Sequence, residues 1–146
     1  MNQETLPRLL GRLPDLQIGH YMSRWWLFPR NEVFNLYVHR LVESDEPILH
    51  DHPAFNISVV LKGAYLEHFH DGTVRRRGPG DIVFRTASQL HWLEVLDGPV
   101  WTVWVRGRTS RRWGFMTNGH WRPWQFHKTQ RPGRTWSPSG RGHIYE

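Results

Sequence analysis

Short apolar runs separated by Gly, Pro and Asp-Gly constrain the fold of this chain more than any other feature of its sequence. After the first few residues this punctuation recurs along most of the chain, and helical periodicity is nearly absent. Runs of this length suit strands and leave no room for helices between them. The sequence therefore predicts an all-β protein of about seven or eight short strands in an antiparallel sandwich or barrel.

The strand predictions follow from β-branched and aromatic runs between turn signals. Gly63 is expected to turn the chain, Asp71-Gly72 to close a hairpin, and Asp97-Gly98-Pro99 to join two paired strands. Only the segment Glu4–Leu16 has a weak helical pattern, interrupted by prolines and a glycine. The predicted strands are Val33–Val42, Phe55–Lys62, Ala64–His70, Thr73–Arg77, Asp81–Arg85, His91–Leu96, Val100–Arg106 and Arg111–Thr117.

Length and composition indicate one globular domain. The 146 residues leave room for a single core, and nine Trp compensate for a modest apolar fraction of 38%. The chain has no cysteine, which excludes disulfides and thiolate metal sites, so any metal ligands are N or O atoms. No apolar run is long enough to span a membrane. Because the N-terminal segment lacks the pattern of a secretory signal, a cytoplasmic location is expected.

The positive charge is concentrated near the C-terminus. Residues 106–146 carry nine Lys or Arg and one acid, whereas the first 105 residues carry ten basic and twelve acidic side chains. We expect a single domain over residues 1–127, followed by an irregular, poorly ordered basic tail over 128–146. The tail and Arg75-Arg76-Arg77 raise the alternative of nucleic-acid binding, since Arg pairs with phosphates and Trp stacks on bases. The same residues more commonly just cover the edge of a barrel.

Two histidine pairs have the spacing that brings neighbouring side chains to one face of a strand. They are His50 with His52 and His68 with His70. The second pair adjoins the Asp71-Gly72 turn, where exposed histidines are ordinary. The first pair is more informative, because its spacing to later residues forms a longer pattern.

This pattern resembles the two-part signature of the cupin superfamily. His50-Asp51-His52, Asn56 and Gly63 match the first motif in spacing, and Pro79-Gly80-Asp81 with His91 match the second. The resemblance covers about Leu49–Val95, a third of the chain. It implies a double-stranded β-helix (jelly-roll) barrel with a short N-terminal extension. It also implies a divalent metal held by His50, His52 and His91.

One position departs from the family pattern: Asn56 stands where the family has a Glu ligand. Three neutral imidazoles leave a divalent ion its full charge, which favours anionic ligands. The set resembles that of the thiol dioxygenases among the cupins, so Fe(II) and a dioxygenase acting on a small polar or anionic substrate are expected. Imidazoles also suit Zn and Ni, and Mn is a further option. A redox-neutral isomerase, epimerase or hydrolase using Zn or Mn stays open, as does a non-enzymatic binding module.

Other residues can be placed near such a site by strand alternation. Ser58 and Val60 share the face of Asn56, as Leu93 and Val95 share that of His91. Tyr37 and His39 lie on one face of their predicted strand, and Arg40 lies on the other, but the period does not say which face is internal. If it is the Arg40 face, the guanidinium could bind a carboxylate or phosphate.

Glu67 is a candidate base or fourth ligand, although a structural role is the more common one for such a residue. The family analogy also suggests a homodimer formed through edge strands.

Overall fold

The computed structural model describes residues 13–18 and 20–126, together with the backbone of Trp136–Pro138. Within these ranges strands are the main regular structure, with a single short helical turn at 124–126. No described helix is long and apolar enough to cross a membrane. The strands are β1 (Leu16–Ile18), β2 (Met22–Trp26), β3 (Asn35–Leu41), β4 (Asn56–Phe69), β5 (Val74–Arg77), β6 (Ile82–Arg85), β7 (His91–Arg106), β8 (Gly114–Thr117), β9 (His120–Pro123) and β10 (Trp136–Pro138).

Eight strands form one antiparallel sheet in the order β10-β1-β2-β3-β7-β4-β5, with β6 also paired to β4. Strands β8 and β9 form a separate hairpin. His50 connects the two sheets, because it makes single β-bridges to His91 on β7 and to Phe115 on β8. The all-β, antiparallel architecture predicted from the sequence is confirmed.

Strands β4 and β7 form the longest pairing of the sheet, from Asn56 opposite Arg106 to Phe69 opposite His91. Two turn predictions are wrong here. Gly63 does not end a strand but lies in an irregular, bulged part of β4. The segment Asp97–Pro99 does not join a hairpin either, because β7 runs through it and both halves pair with β4. Bulges of this kind bend a strand without ending it, which turn residues alone do not reveal.

The pleat of the sheet separates two apolar clusters. Trp25, Val38 and Trp101 pack together on one face. The cluster on the other face borders an internal cavity and consists of Leu41, Val60, Tyr65 and Val100. Leu93 and Val95 pack against this second cluster, on the inner side that strand alternation predicted for them.

Most of the remaining strand predictions agree with the structure to within a few residues. The Asp71-Gly72 hairpin is confirmed, with β5 paired to the end of β4. Strands β1, β2 and β9 were not predicted, nor was β10, which lies in the segment predicted to be irregular. The burial of β2 does not alternate along its length, which explains the missing period-2 signal. The helix predicted within 4–16 lies mainly outside the described residues, as does most of the 128–146 tail, whose described part pairs with β1 as β10.

Candidate metal centre

Three histidines converge at the inner side of the sheet. Each of His50, His52 and His91 offers a ring nitrogen, and these nitrogens all lie within 4.8 Å of one another. The Nε2 atoms of His52 and His91 are 2.9 Å apart. A metal–imidazole bond is about 2.1 Å long. Two such bonds at roughly a right angle at the metal therefore hold their ligand nitrogens roughly 3 Å apart. The observed spacing therefore fits one shared ion.

The loop that carries two of these histidines is fixed by the residue between them. Asp51 is 1% exposed, and its carboxylate accepts hydrogen bonds from the Gly114 amide (2.8 Å), the Arg111 guanidinium (2.6 Å) and the Trp121 indole (2.9 Å). All three donors lie on or just before the β8–β9 hairpin. Because the Asp51 side chain is held by the β8–β9 hairpin, the side chains of His50 and His52 extend the opposite way, towards His91.

A buried carboxylate orients the third histidine. Glu67 is fully buried on β4, and its Oε1 lies 2.7 Å from Nδ1 of His91. Since a carboxylate accepts, Nδ1 of His91 donates, and Nε2 is left to face His52. Metal-bound imidazoles are commonly fixed by such a carboxylate, which sets the tautomer and raises ligand basicity. Glu67 is therefore placed behind a ligand and is not part of the ligand group.

Asn56, at the position of the family's Glu ligand, is held by hydrogen bonds to other residues. Its Oδ1 accepts from the Trp104 indole (3.1 Å) and from Nη1 of Arg85 (3.3 Å). Arg85 also donates to Ser58 Oγ (2.9 Å) and Tyr65 Oη (3.0 Å), and its Nε forms an ion pair with Glu67. An amide oxygen that already accepts from two donors is poorly placed to coordinate an ion.

The other candidates near the site divide between the two faces of β3. His39 lines the cavity, so the face that it shares with Tyr37 is the internal one. Tyr37 is fully buried and packs beside the cavity. Arg40 lies on the opposite face, with its guanidinium over the Trp101 ring. The condition under which Arg40 could bind an anion is thus not met. His68 is also remote, stacked on Trp92 and paired with Glu94.

Burial keeps two of the three histidines, His52 and His91, neutral. Desolvation is the main cause that lowers the pKa of His91 to about 3, with the His50 and Arg85 charges acting in the same direction against the hydrogen bond to Glu67. Desolvation also holds the pKa of His52 well below its usual range, assisted by His91 and His50. For Glu67 burial alone would raise the pKa, but hydrogen bonds from His91 and Arg85 reverse the effect and lower it. At neutral pH the two imidazoles can therefore accept a cation without first losing a proton.

The three histidines open into a cavity of about 210 Å³. Aromatic and aliphatic side chains form much of its wall, and several charged or polar groups interrupt it. They include Arg24, His39, Asp45, Glu46, Ser58 and Arg85. Concave, mostly apolar walls with a few convergent polar groups are typical of small-molecule sites.

No protein-family model matches the sequence, and no curated protein matches it. Several solved structures share its fold. KdgF from a Halomonas species is 18% identical with a TM-score of 0.54, over 66% of this chain and 89% of its own. A cupin superfamily protein from Desulfitobacterium hafniense is 9% identical with a TM-score of 0.50, over 62% of this chain and 80% of its own. This chain has the cupin fold. The DMSP lyase DddQ from Ruegeria pomeroyi is 23% identical with a TM-score of 0.50, over 66% of this chain and 54% of its own.

Within the cupin fold, sequence reasoning missed several residues that surround the three histidines. Arg85 had a usable signal, because it lies two residues after the inward-facing Val83 on β6. Asp45 had none: it lies in a loop, yet its Oδ2 is 4.0 Å from Nε2 of His50. Arg24 was missed because it lies on β2, a strand that was not predicted from the sequence. Only the folded chain brings these groups to the cavity.

Proposed function

We propose that this protein is a metal-dependent enzyme acting on a small polar or anionic molecule, and that within this class it is an Fe(II)-dependent dioxygenase. One observation carries the proposal: three imidazole nitrogens converge with no carboxylate in the group, while the buried carboxylate of Glu67 is turned onto Nδ1 of His91. His50, His52 and His91 would hold the ion. A divalent ion bound there would keep its full double positive charge and have open positions for ligands. Iron would in addition supply electron transfer with O₂.

The residues around the ligands suit this role. Glu67 and Asp51 fix the orientation of the histidines, which limits the reorganisation needed when an ion binds. The apolar cavity wall excludes bulk water from the reacting groups and strengthens the electrostatic interactions within. Ser58 and Tyr65 place hydroxyl groups beside Arg85 at the cavity wall, where they can orient a polar substrate.

Metal content and oxygen consumption test this proposal. Full-length protein purified without chelator should contain about one equivalent of a divalent metal, with iron the expected ion, and should consume O₂ with a member of a thiol or catechol panel. His50→Ala and His91→Ala should each abolish metal retention. His68→Ala is the matched control, since His68 is held by Trp92 and Glu94 away from the site. Equal metal retention by wild type and His91→Ala would reject the proposal.

A second candidate is a redox-neutral reaction with Zn or Mn as Lewis acid, and a specific pair of residues favours it. The Tyr21 hydroxyl donates to Oδ1 of Asp45, both residues line the cavity, and Oδ2 of Asp45 is 4.0 Å from Nε2 of His50. A phenol–carboxylate pair at this place can transfer a proton to or from a substrate. One protein of similar fold is a lyase, and lyases cleave bonds without an external oxidant.

The two candidates differ in a measurable way. Zinc or manganese in the purified protein, with turnover but no O₂ consumption, favours the redox-neutral reaction. In that case Tyr21→Phe should lower kcat by about 100-fold or more, which is the usual contribution of a general acid or base. Metal content should not change, because Tyr21 is not among the ligands. A Tyr21→Phe variant with full turnover would exclude the proton-transfer role.

A further inference from the structure

The sheet face opposite the cavity carries a continuous apolar surface. Cross-strand pairing aligns its residues in two rows, because directly opposed residues point to the same side of an antiparallel sheet. One row crosses β3, β7, β4 and β6 and consists of Leu36, Val105, Ile57 and Phe84. The other begins on β2 and consists of Trp25, Val38, Val103, Val59 and Ile82. Neither row contains a charged side chain, and the two rows together are called the outer apolar face below.

The outer apolar face is covered at one end and open at the other. On the β2 and β3 side, Trp25 is 3% and Val38 is 4% exposed, because both belong to the apolar cluster packed on this face. On the β6 side, Ile82 is 72% and Phe84 is 61% exposed. The Phe84 ring is stacked beside that of Phe55, at a centroid distance of 6.1 Å, and Phe55 is itself 44% exposed. The uncovered part therefore lies at the β6 end.

The two short strands that pair with the same edge of β4 differ in the side chains that they expose. β5 exposes Arg75 and Arg76, and charged side chains of this kind protect an edge strand from association with other chains. β6 exposes Ile82 and Phe84 instead, and among the described strands it pairs only with β4. Because one edge strand is protected by charge and the other is not, we expect the exposed apolar side chains of β6 to be covered in the assembled protein.

The size of the open part suits a protein–protein contact. Ile82, Phe84, Phe55 and the half-buried residues of the two rows together expose roughly 500 Å², since one large side chain contributes up to about 200 Å². Contiguous apolar patches of this order are often functional contact surfaces. A standard interface buries about 800 Å² on each partner. The open part is thus large enough to form the apolar centre of one such interface.

The position and charge of this face favour a second copy of the chain as its partner. The described ends of the chain lie at the opposite edge of the sheet, where β1 pairs with β10, and four strands separate β1 from β6. The chain has a net charge of +6, so two copies repel each other wherever their basic surfaces meet. The outer apolar face has no charge, and an apolar surface is complementary to itself. A twofold symmetric dimer requires such a self-complementary surface.

We propose that this protein forms a twofold symmetric dimer in which the outer apolar face of each copy, centred on Ile82 and Phe84, packs against that of the other. The contact joins two sheet faces and does not add strands to the sheet. No residue of the outer apolar face lines the cavity, so the inference is independent of the metal and of the reaction. The dimer would cover the outer side of β6, whose inner side holds Arg85 against Glu67.

Sedimentation equilibrium of the full-length protein, from about 1 to 100 µM, tests the inference. Wild type should reach twice the monomer mass. Ile82→Asp and Phe84→Asp should each weaken the dimer at least about 30-fold, because each places a charge at the centre of a desolvated contact. Val74→Asp is the matched control and should change the affinity by less than about twofold. Val74 is also apolar and 48% exposed on an edge strand next to β4, but it lies outside the outer apolar face.

Both substituted side chains are exposed in the single chain, so the variants should stay folded, which near-UV circular dichroism of the tryptophans checks. Phe84→Thr, which is uncharged and suits a strand, should also weaken the dimer and serves if the Asp variants unfold. A monomeric wild type at the highest concentration would overturn the inference, as would a dimer whose affinity neither Asp variant changes. If wild type is monomeric and deletion of residues 1–12 or 139–146 creates a dimer, that terminal segment covers the face, and the inference is likewise overturned.

Discussion

Glu67 shows how one buried residue serves both stability and the site. Its two carboxylate oxygens contact Nδ1 of His91, Nε of Arg85 and, at 2.9 Å, Nε of Arg77. A buried arginine without a counter-charge is costly, so Glu67 stabilises Arg85 in the interior. The same carboxylate selects the tautomer of His91 that leaves Nε2 directed at His52. One side chain thus couples the charge balance of the cavity wall to the geometry of the ligands.

Replacement of this carboxylate by an amide should weaken both functions. Glu67→Gln keeps the shape but removes the negative charge, so Arg85 remains buried without compensation. We expect the free energy of unfolding to fall by about 3 kcal/mol and metal affinity to fall about 10- to 100-fold. Urea denaturation and competition with a metal indicator measure the two effects. Glu94→Gln is the control, because its exposed pair with His68 is worth less than about 1 kcal/mol. Unchanged metal affinity in Glu67→Gln would contradict the orienting role.

At the level of residues, motif spacing predicted that the three histidines converge. It did not predict the residues that hold them in place. Motif spacing is local information, and His50, His52 and His91 are brought together whenever the chain adopts the cupin fold. The roles of Asn56 and Glu67 depend on which donors approach them. Arg85 and Trp104 approach Asn56 from other strands. Alternation along β6 places Arg85 on the inner face, but no sequence signal pairs either residue with Asn56.

Gly63 illustrates how a strand can bend without ending. It has a φ of +80°, and a Cβ atom at this position would lie 2.5 Å from the Asp97 carbonyl oxygen and 2.8 Å from that of Pro99. The close approach allows β4 to stay paired with β7 through the bulge. Gly72, in the hairpin between β4 and β5, has a φ of +84° but open space around it.

Replacing each of these two glycines by alanine separates the cost of a left-handed backbone conformation from the cost of a steric clash. Gly72→Ala should cost about 1 kcal/mol, since only the left-handed conformation is penalised. Gly63→Ala should cost a further 1 to 3 kcal/mol or so, because the backbone of β7 must also move. Urea denaturation of both variants measures the difference. Equal losses would show that the close approach at Gly63 has no energetic importance.

Elements were predicted best where turn chemistry is strictly local. Asp71-Gly72 closes a hairpin because both residues suit a tight turn, and no distant contact is needed. The predictions at Gly63 and at Asp97–Pro99 failed because each segment pairs with the other across β4 and β7. The same residue types serve a turn in one place and a bulge in another, and the partner strand determines which occurs.

For the whole molecule, the buried imidazoles predict sensitivity to acid. The pKa of His91 falls from 6.5 to about 3 on folding, and that of His52 is also lowered well below 6.5. Below pH 6.5 the unfolded chain therefore binds protons that the folded chain does not, so folding stability falls as the pH falls. The stabilising contribution is complete above pH 6.5 and is lost progressively towards pH 3.

This dependence can be measured on metal-free protein by urea denaturation between pH 7.5 and 4.5. Each of the two histidines should contribute a slope approaching about 1.4 kcal/mol per pH unit at the acidic end. His91→Gln should reduce the slope, whereas His70→Gln, which alters an exposed side chain, should not. Stoichiometric Zn²⁺ should raise stability at pH 7.5 and lose this effect in acid, because protons compete for the ligand nitrogens. A flat profile for metal-free protein would contradict burial of neutral imidazoles.

Three whole-molecule expectations stay predictions: the domain boundary at residue 127, homodimer formation, and nucleic-acid binding by the basic tail, most of which lies outside the described residues. A salt titration of nucleic-acid affinity with and without residues 128–146 would measure the tail's contribution.

The sequence alone determined the fold class, the hairpin at Asp71-Gly72 and the identity of the three converging histidines. The fold class and the hairpin depend on local patterns, namely apolar alternation and turn residues, and the histidines were identified by the resemblance of their spacing to the cupin signature. The tertiary structure alone decided which face of β3 is internal, that Glu67 lies behind His91, and that Arg24 and not Arg40 borders the cavity. The physical reason is that strand alternation fixes relative directions within a strand, whereas the direction of the interior is set by the strands that pack around it.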